Sequence, residues 1–297
     1  MIRRWVQGKR AGLAATFRGR PGVEVFQQRR TDNLFQAAAT TVALIYHMTV
    51  YKLRKGERSP IASLLMTMMR SIVMVGVFMV LYLVLGVRRS PLGGNFIVYI
   101  MTGIFMFMTH LQAVGAVMGA EGPTSALMKH TPMNPAIAIA ASALAALYQQ
   151  VIASIVLLLL VHTFIEPVVI DRPYACLGML ILAWFSGCCV GIVFRALRPW
   201  SPRAIGIISQ LYRRMNMFTS GKMFVANTLP GFMLQMFDWN PLFHIIDQTR
   251  GYAFLNYSPH NSNLMYPIYV SLALAMIGLM GDFVTRNKVS LSWSAGR

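Results

Sequence analysis

Six stretches of this 297-residue chain are apolar for close to the length a helix needs to cross a bilayer, and nothing else in the sequence constrains the fold as much. They fall at 61–87, 95–117, 136–165, 175–194, 204–220 and 264–283. In hydrocarbon every backbone N–H and C=O must be satisfied within the segment, so such runs are read as helices. Only 12% of residues are charged, about half the share of an ordinary soluble protein. A soluble globule is therefore excluded. The fifth run is the shortest, and Arg213-Arg214 interrupts it.

A seventh stretch, 34–50, is too short for a straight span and carries Gln36, Thr40, Thr41, His47 and Thr49. Arg29-Arg30 precede it, and Lys52, Arg54, Lys55 and Arg58 follow. This pattern predicts an amphipathic helix lying in the cytoplasmic interface. Between the last two long runs, Gly221, Pro230 and Pro241 interrupt the backbone ladder three times. Broken helix at membrane depth is tolerated only where protein or a water-filled cavity covers it, so a re-entrant element is expected before the last span. The expected fold is an all-α membrane protein with six transmembrane helices. Residues 1–58 form its basic cytoplasmic N terminus with the interface helix, 59–285 the membrane domain and 286–297 a cytoplasmic tail.

Charge orients the chain. The sequence holds 27 Lys and Arg against 9 Asp and Glu. In a soluble domain that excess would suggest nucleic acid; here it marks the cytoplasmic side, and no nucleic-acid partner is expected. With both termini inside, nineteen basic residues lie on the cytoplasmic side and five outside, leaving Arg70, Arg213 and Arg214 within spans. Crossing at 34–50 would place the cluster at 52–58 outside, against that bias.

The chain lacks G-x-x-x-x-G-K-[ST], His-Glu-x-x-His and G-x-S-x-G, so ATP hydrolysis is expected on a separate chain and no enzyme activity here. The six histidines and three cysteines show no ligand spacing, and neither metal nor cofactor is expected. No carboxylate sits mid-span, which disfavours an ion-coupled carrier.

Several residues are candidates for a transport path. Arg213 and Arg214 project about 100° apart on a helix and either line a polar cavity or mark an interfacial start of the fifth span. Arg70 is near enough to one end of its run to snorkel. Phe78 and Tyr82 share a helix face, and with Tyr212 and Phe218 they would stack on sugars or simply pack. The loop after the second run holds Pro123 and Pro132, which frame one short helix carrying Leu127, Met128 and Lys129.

The order Ser220-Gly221, Leu229-Pro230, Asn240-Pro241-Leu242 and Arg250 resembles the permease subunits of type-2 ABC exporters, most closely those for capsule polysaccharide, O-antigen and teichoic acid. The resemblance implies a bacterial inner-membrane permease that pairs with a second copy of itself and two ATPase subunits. It makes 123–129 the helix that docks on the ATPase. A periplasmic adaptor and an outer-membrane polysaccharide channel would complete such a route. The alternatives are a type-2 exporter of a drug or lipid, and a membrane-embedded enzyme on lipid-linked sugars. The enzyme would need a carboxylate or histidine cluster at one membrane face, and the sequence offers none.

Overall fold

Five of the helices begin on proline, and that punctuation sets the architecture. A computed structural model describes residues 34–55, 59–86, 92–121 and 134–295, with side chains as far as Thr285. The docking-loop residues Pro123, Leu127, Met128 and Lys129 lie outside the described residues, as do 1–33. Within them the chain forms α1 (Leu34–Lys55), α2 (Pro60–Val84), α3 (Phe96–Met118), α4 (Pro135–Phe164), α5 (Pro173–Leu197), α6 (Pro202–Thr219), α7 (Gly231–Phe237), α8 (Pro241–Ala253) and α9 (Met265–Ala295). Proline suits the first helical turn because its missing N–H would be unpaired there anyway. The residue before it often caps: Ser59, Asn134 and Asn240 each accept a hydrogen bond from a backbone N–H of the turn they start. Asn95 does the same for α3.

All described secondary structure is helical, and five helices are long and apolar enough to span a membrane: α2, α3, α4, α5 and the Met265–Thr285 part of α9. The run expected at 204–220 forms α6, of 18 residues, but falls short of that standard. Arg213, Arg214, Gln210 and Asn216 make it too polar. The stretch at 34–50 is helical and extends to Lys55 without qualifying as a span. The tail expected after residue 285 continues α9 to Ala295.

The chain divides into two compact units, Met1–Val42 and Ala43–Arg297. Of the first, only the helical residues 34–42 are described, and Thr40 and Thr41 donate there to carbonyls one turn back. In the second, α3 is the axis. It packs on α2, α4, α5 and α8, and most of its residues are buried. The α3–α5 contact is close because α5 presents Gly187 and Gly191. A Cβ at Gly187 would stand 2.4 Å from the His110 carbonyl oxygen, and one at Gly191 would stand 2.8 Å from Val117 Cβ. Small residues let spanning helices approach in this way. By contrast, α2 and α9 keep apolar side chains such as Val73, Val80, Ile277 and Phe283 on their exposed faces.

Candidate functional site

The segment 220–250 is held together by the very residues that made it conspicuous. Helix α6 stops at Thr219, and Gly221 turns the chain with φ +70°. Another residue would be strained there, and its Cβ would lie 2.4 Å from the Phe243 ring. The turn leaves carbonyls with no helical partner, and Arg250 collects them. Its guanidinium donates to the carbonyl oxygens of Gly221 (3.1 Å), Lys222 (2.6 Å) and Phe224, and it lies 4.3 Å from the Tyr99 ring centroid. Arg250 is 1% exposed. The Tyr82 and Tyr99 hydroxyls donate to the Met223 carbonyl, which completes the turn. Asn240 caps α8 through Oδ1 and donates from Nδ2 to Asn216 (3.0 Å) and Thr219 (2.9 Å), tying α8 to the end of α6. Pro230 starts α7, and Pro241 opens α8.

Lys222 points inward from this turn. It is 4% exposed, with Nζ 3.3 Å from the Phe107 ring centroid and 5.1 Å from that of Phe78, and it has no hydrogen-bond partner among the described residues. Burial pushes its pKa down to about 7, while the ring faces favour the charged form. Nearby, Asp247 accepts from Tyr257 (2.5 Å) and Ser262 (2.7 Å).

A different environment lies among α1, α2, α3, α4 and α6. There a cavity of about 590 Å³ is lined by Lys52, Ser63, Thr67, Arg70, Gln112, Gln149 and Arg213, with Met66, Met108 and Leu111 as its larger apolar walls. That size lies within the range of ligand sites. Gly115 makes room for Arg213: a Cβ on it would stand 2.7 Å from Nη2. Arg213 Nε and Gln112 Oε1 are buried without a hydrogen-bond partner among the described residues. No described carboxylate lies within 4.0 Å of Arg70 or Arg213. Lys52 pairs with Glu121 at 3.2 Å, and Gln149 donates to Ser63 at 2.6 Å. His110, fully buried on α3, stands 2.9 Å from Ser186 Oγ and 2.8 Å from the Tyr212 hydroxyl. It joins α3, α5 and α6 and fixes the residue before Arg213.

The expected path residues thus separate. Arg213 lines the cavity, whereas Arg214 and Phe218 are exposed on α6 beside Ile207, Leu211 and Met215. Phe78 and Tyr82 are buried, one beneath Lys222 and the other on the 220–224 turn. Tyr212 is partly buried against His110 and Phe194. Arg70, expected to reach toward an interface, shares the cavity with Arg213. Sequence reasoning passed over Lys52, Gln112 and Gln149. The signal was present: amides within apolar runs, and Gly115-Ala116 with Gly119 clearing space on one side of α3.

At the end of the bundle bearing Lys52, Glu121 is a junction. Its carboxylate meets Lys52, and its carbonyl accepts from Arg195 (3.3 Å), which also pairs with Asp282 at 3.2 Å. Helices α1, α5 and α9 and the chain just after α3 are linked through these four residues.

These features define an all-α membrane protein with a cation-lined cavity inside its helical bundle. Two sequences of the polysialic acid transport protein KpsM of Escherichia coli are 24% and 25% identical to it over 202 residues, covering 67% of this chain and 76% of theirs. No family model matches the chain. The similarity supports a distant relationship to capsule polysaccharide export permeases, the relationship that the 220–250 motif also carries.

Proposed function

We propose that this chain is the permease subunit of an ATP-driven exporter of a capsule-type or related surface polysaccharide. The observation that carries the reading is the cavity: Arg70 of the candidate span α2 and Arg213 of α6 both line it, and no described carboxylate lies within 4.0 Å of either. A cation inside a span is costly and marks a substrate path by default. The similarity to the polysialic acid transport protein supports the same reading.

In this reading α6 completes six crossings, and 221–263 folds back as a re-entrant element on the outer side. Both termini are cytoplasmic in the bacterial inner membrane. Two copies enclose the path, with Arg213, Arg214, Tyr212 and Phe218 near it. Two separate ATPase subunits dock on 123–129 through Leu127 and Met128, with Pro123 and Lys129 at its ends. Closure of the ATPases on ATP would reach the bundle through that helix and the Glu121 junction. A periplasmic adaptor and an outer-membrane channel carry the polymer onward.

Deleting the gene in its host and assaying the cell surface tests the reading. The expected result is polymer retained inside the cell, with export restored by the wild-type chain. Leu127→Asp should restore the protein level but not export or ATPase co-purification, because it carries an unpaired charge into an apolar docking cleft. Unchanged surface polysaccharide after deletion would overturn the reading.

A further inference from the structure

Two arginines at the end of α5 reach the place where α3 ends. Arg195 Nη2 donates to the Glu121 carbonyl at 3.3 Å, and Arg198 Nη1 donates to the Met118 carbonyl at 3.5 Å. Met118 closes α3, and the last carbonyls of a helix have no partner within it. A cation there satisfies them and meets the negative end of the helix dipole. The other branch of Arg195 turns to α9: Nη1 pairs with Asp282 at 3.2 Å, and the two side chains are 7% and 13% exposed. One planar guanidinium therefore holds two elements at fixed angles, which a compact ammonium does less well.

Beyond that contact, α5 and α9 are joined along their shared ends. Thr285 Oγ1 donates to the Ala196 carbonyl and accepts from Trp200 Nε1, both at 3.0 Å. Gly278 and Gly281 seat α9 on α5: a Cβ on Gly278 would stand 2.9 Å from Ile192 Cγ2, and one on Gly281 would stand 3.2 Å from Ala196 Cβ. Backbones packed this closely leave little room for one helix to slide along the other. Helix α1, in contrast, reaches Glu121 through the long flexible stem of Lys52.

We infer that Arg195 is a positioning residue that makes the α5–α9 pair follow the end of α3, so that a displacement of Glu121 is delivered to α9. The inference rests on the exporter reading, in which the ATPase docks on 123–129, two residues beyond Glu121. It gives the Glu121 junction a direction. A pull on the Glu121 carbonyl passes through one charge-assisted contact to α5, and from there to α9 through a largely desolvated ion pair. Parting such a pair is costly, so α9 travels with α5. The same pull toward α1 is absorbed by the rotatable bonds of Lys52.

The test reads the position of α9 directly. Spin labels are placed on cysteines at Val73 of α2 and Met280 of α9, both exposed, in a full-length chain whose Cys176, Cys188 and Cys189 are replaced. Labelled chain is diluted with unlabelled chain, so that the distance is read within one copy, and reconstituted in nanodiscs with the ATPase subunits that co-purify with it. In wild type the distance should shift when ATP is trapped with vanadate. Arg195→Lys keeps a cation beside Asp282 but loses the fork. It should retain the ATPase and its hydrolysis rate, while the shift falls roughly threefold or more, the scale on which single residues change coupling between sites. Asp282→Asn should reduce the shift by a similar factor, and Lys52→Gln should leave it nearly whole. A merely structural role would lower the yield of the complex and leave the shift of the surviving complex intact.

A wild-type shift in Arg195→Lys and Asp282→Asn would overturn the inference and leave the exporter reading standing. So would an α9 that stays still in wild type while export proceeds, or loss of the ATPase from Arg195→Lys. A chain that retains no ATPase, and whose deletion leaves the surface polysaccharide unchanged, would sink the exporter reading and the inference with it.

Discussion

Arg250 and Arg213 meet opposite environments within one bundle. Arg250 is 1% exposed and spends its terminal nitrogens on three carbonyls of the 221–224 turn. Arg213 borders a cavity, and although the Nε of both arginines is buried without a partner, no nitrogen of Arg213 donates a hydrogen bond among the described residues. Both are cations in an apolar bundle, yet one is used up by the backbone and the other is left available. The difference separates the two kinds of role an arginine in an apolar helical bundle can have. Backbone that leaves the helix inside a bundle must be satisfied by some donor, and a guanidinium can satisfy several carbonyls together. A cation with no such duty points to a ligand.

The contrast can be broken first at Arg250. Arg250→Gln should destabilise the chain by on the order of 3–5 kcal/mol, because the carbonyls of the 221–224 turn lose their charged donor. Thermal denaturation of the purified protein should show a large drop in midpoint, or the variant should fail to accumulate. A midpoint equal to wild type would mean that the turn does not depend on this residue.

Lys222 tests a smaller effect between the two extremes, since it is buried like Arg250 but unpartnered like Arg213. Its folded pKa is lowered from 10.5 to about 7. Between those values the unfolded chain binds a proton that the folded chain does not, so stability rises with pH across that window. Below about pH 7 both states are protonated and the slope vanishes. Lys222→Met should remove the pH 7–10 rise and be neutral or slightly stabilising near pH 7. A wild-type slope identical to that of the variant would show that the two ring faces hold the ammonium charged.

The contrast also explains how far the sequence could be read. The apolar runs placed two helix starts, at 61 and 136, within a residue of Pro60 and Pro135, because Ser59-Pro60 and Asn134-Pro135 act locally, through one side chain and one ring. The breaks at Gly221, Pro230 and Pro241 were legible for the same reason. The partners that close the segment were not: Arg250 reaches back 29 residues to Gly221, and Tyr82 reaches 141 residues forward to Met223. Phe78 and Tyr82 do share a helix face, as their spacing dictates, but that face is turned to the turn and Lys222. Arg70 and Arg213 could not be brought to one cavity from sequence, because their convergence depends on how α2 and α6 pack around α3. Helix α6 shows a further limit. Its apolar residues suggested a span, but its arginines and amides leave it short of one by composition alone.

The central claim is that the cavity arginines serve a ligand and the motif arginine serves the fold. The most direct measurement compares Arg70→Gln/Arg213→Gln with wild type for both melting temperature and polysaccharide export in the gene-deleted host. The account predicts a melting temperature within a degree or two of wild type, since no described hydrogen bond or ion pair is lost, together with a severe loss of export at normal protein level. A large fall in melting temperature, or export at the wild-type rate, would contradict it.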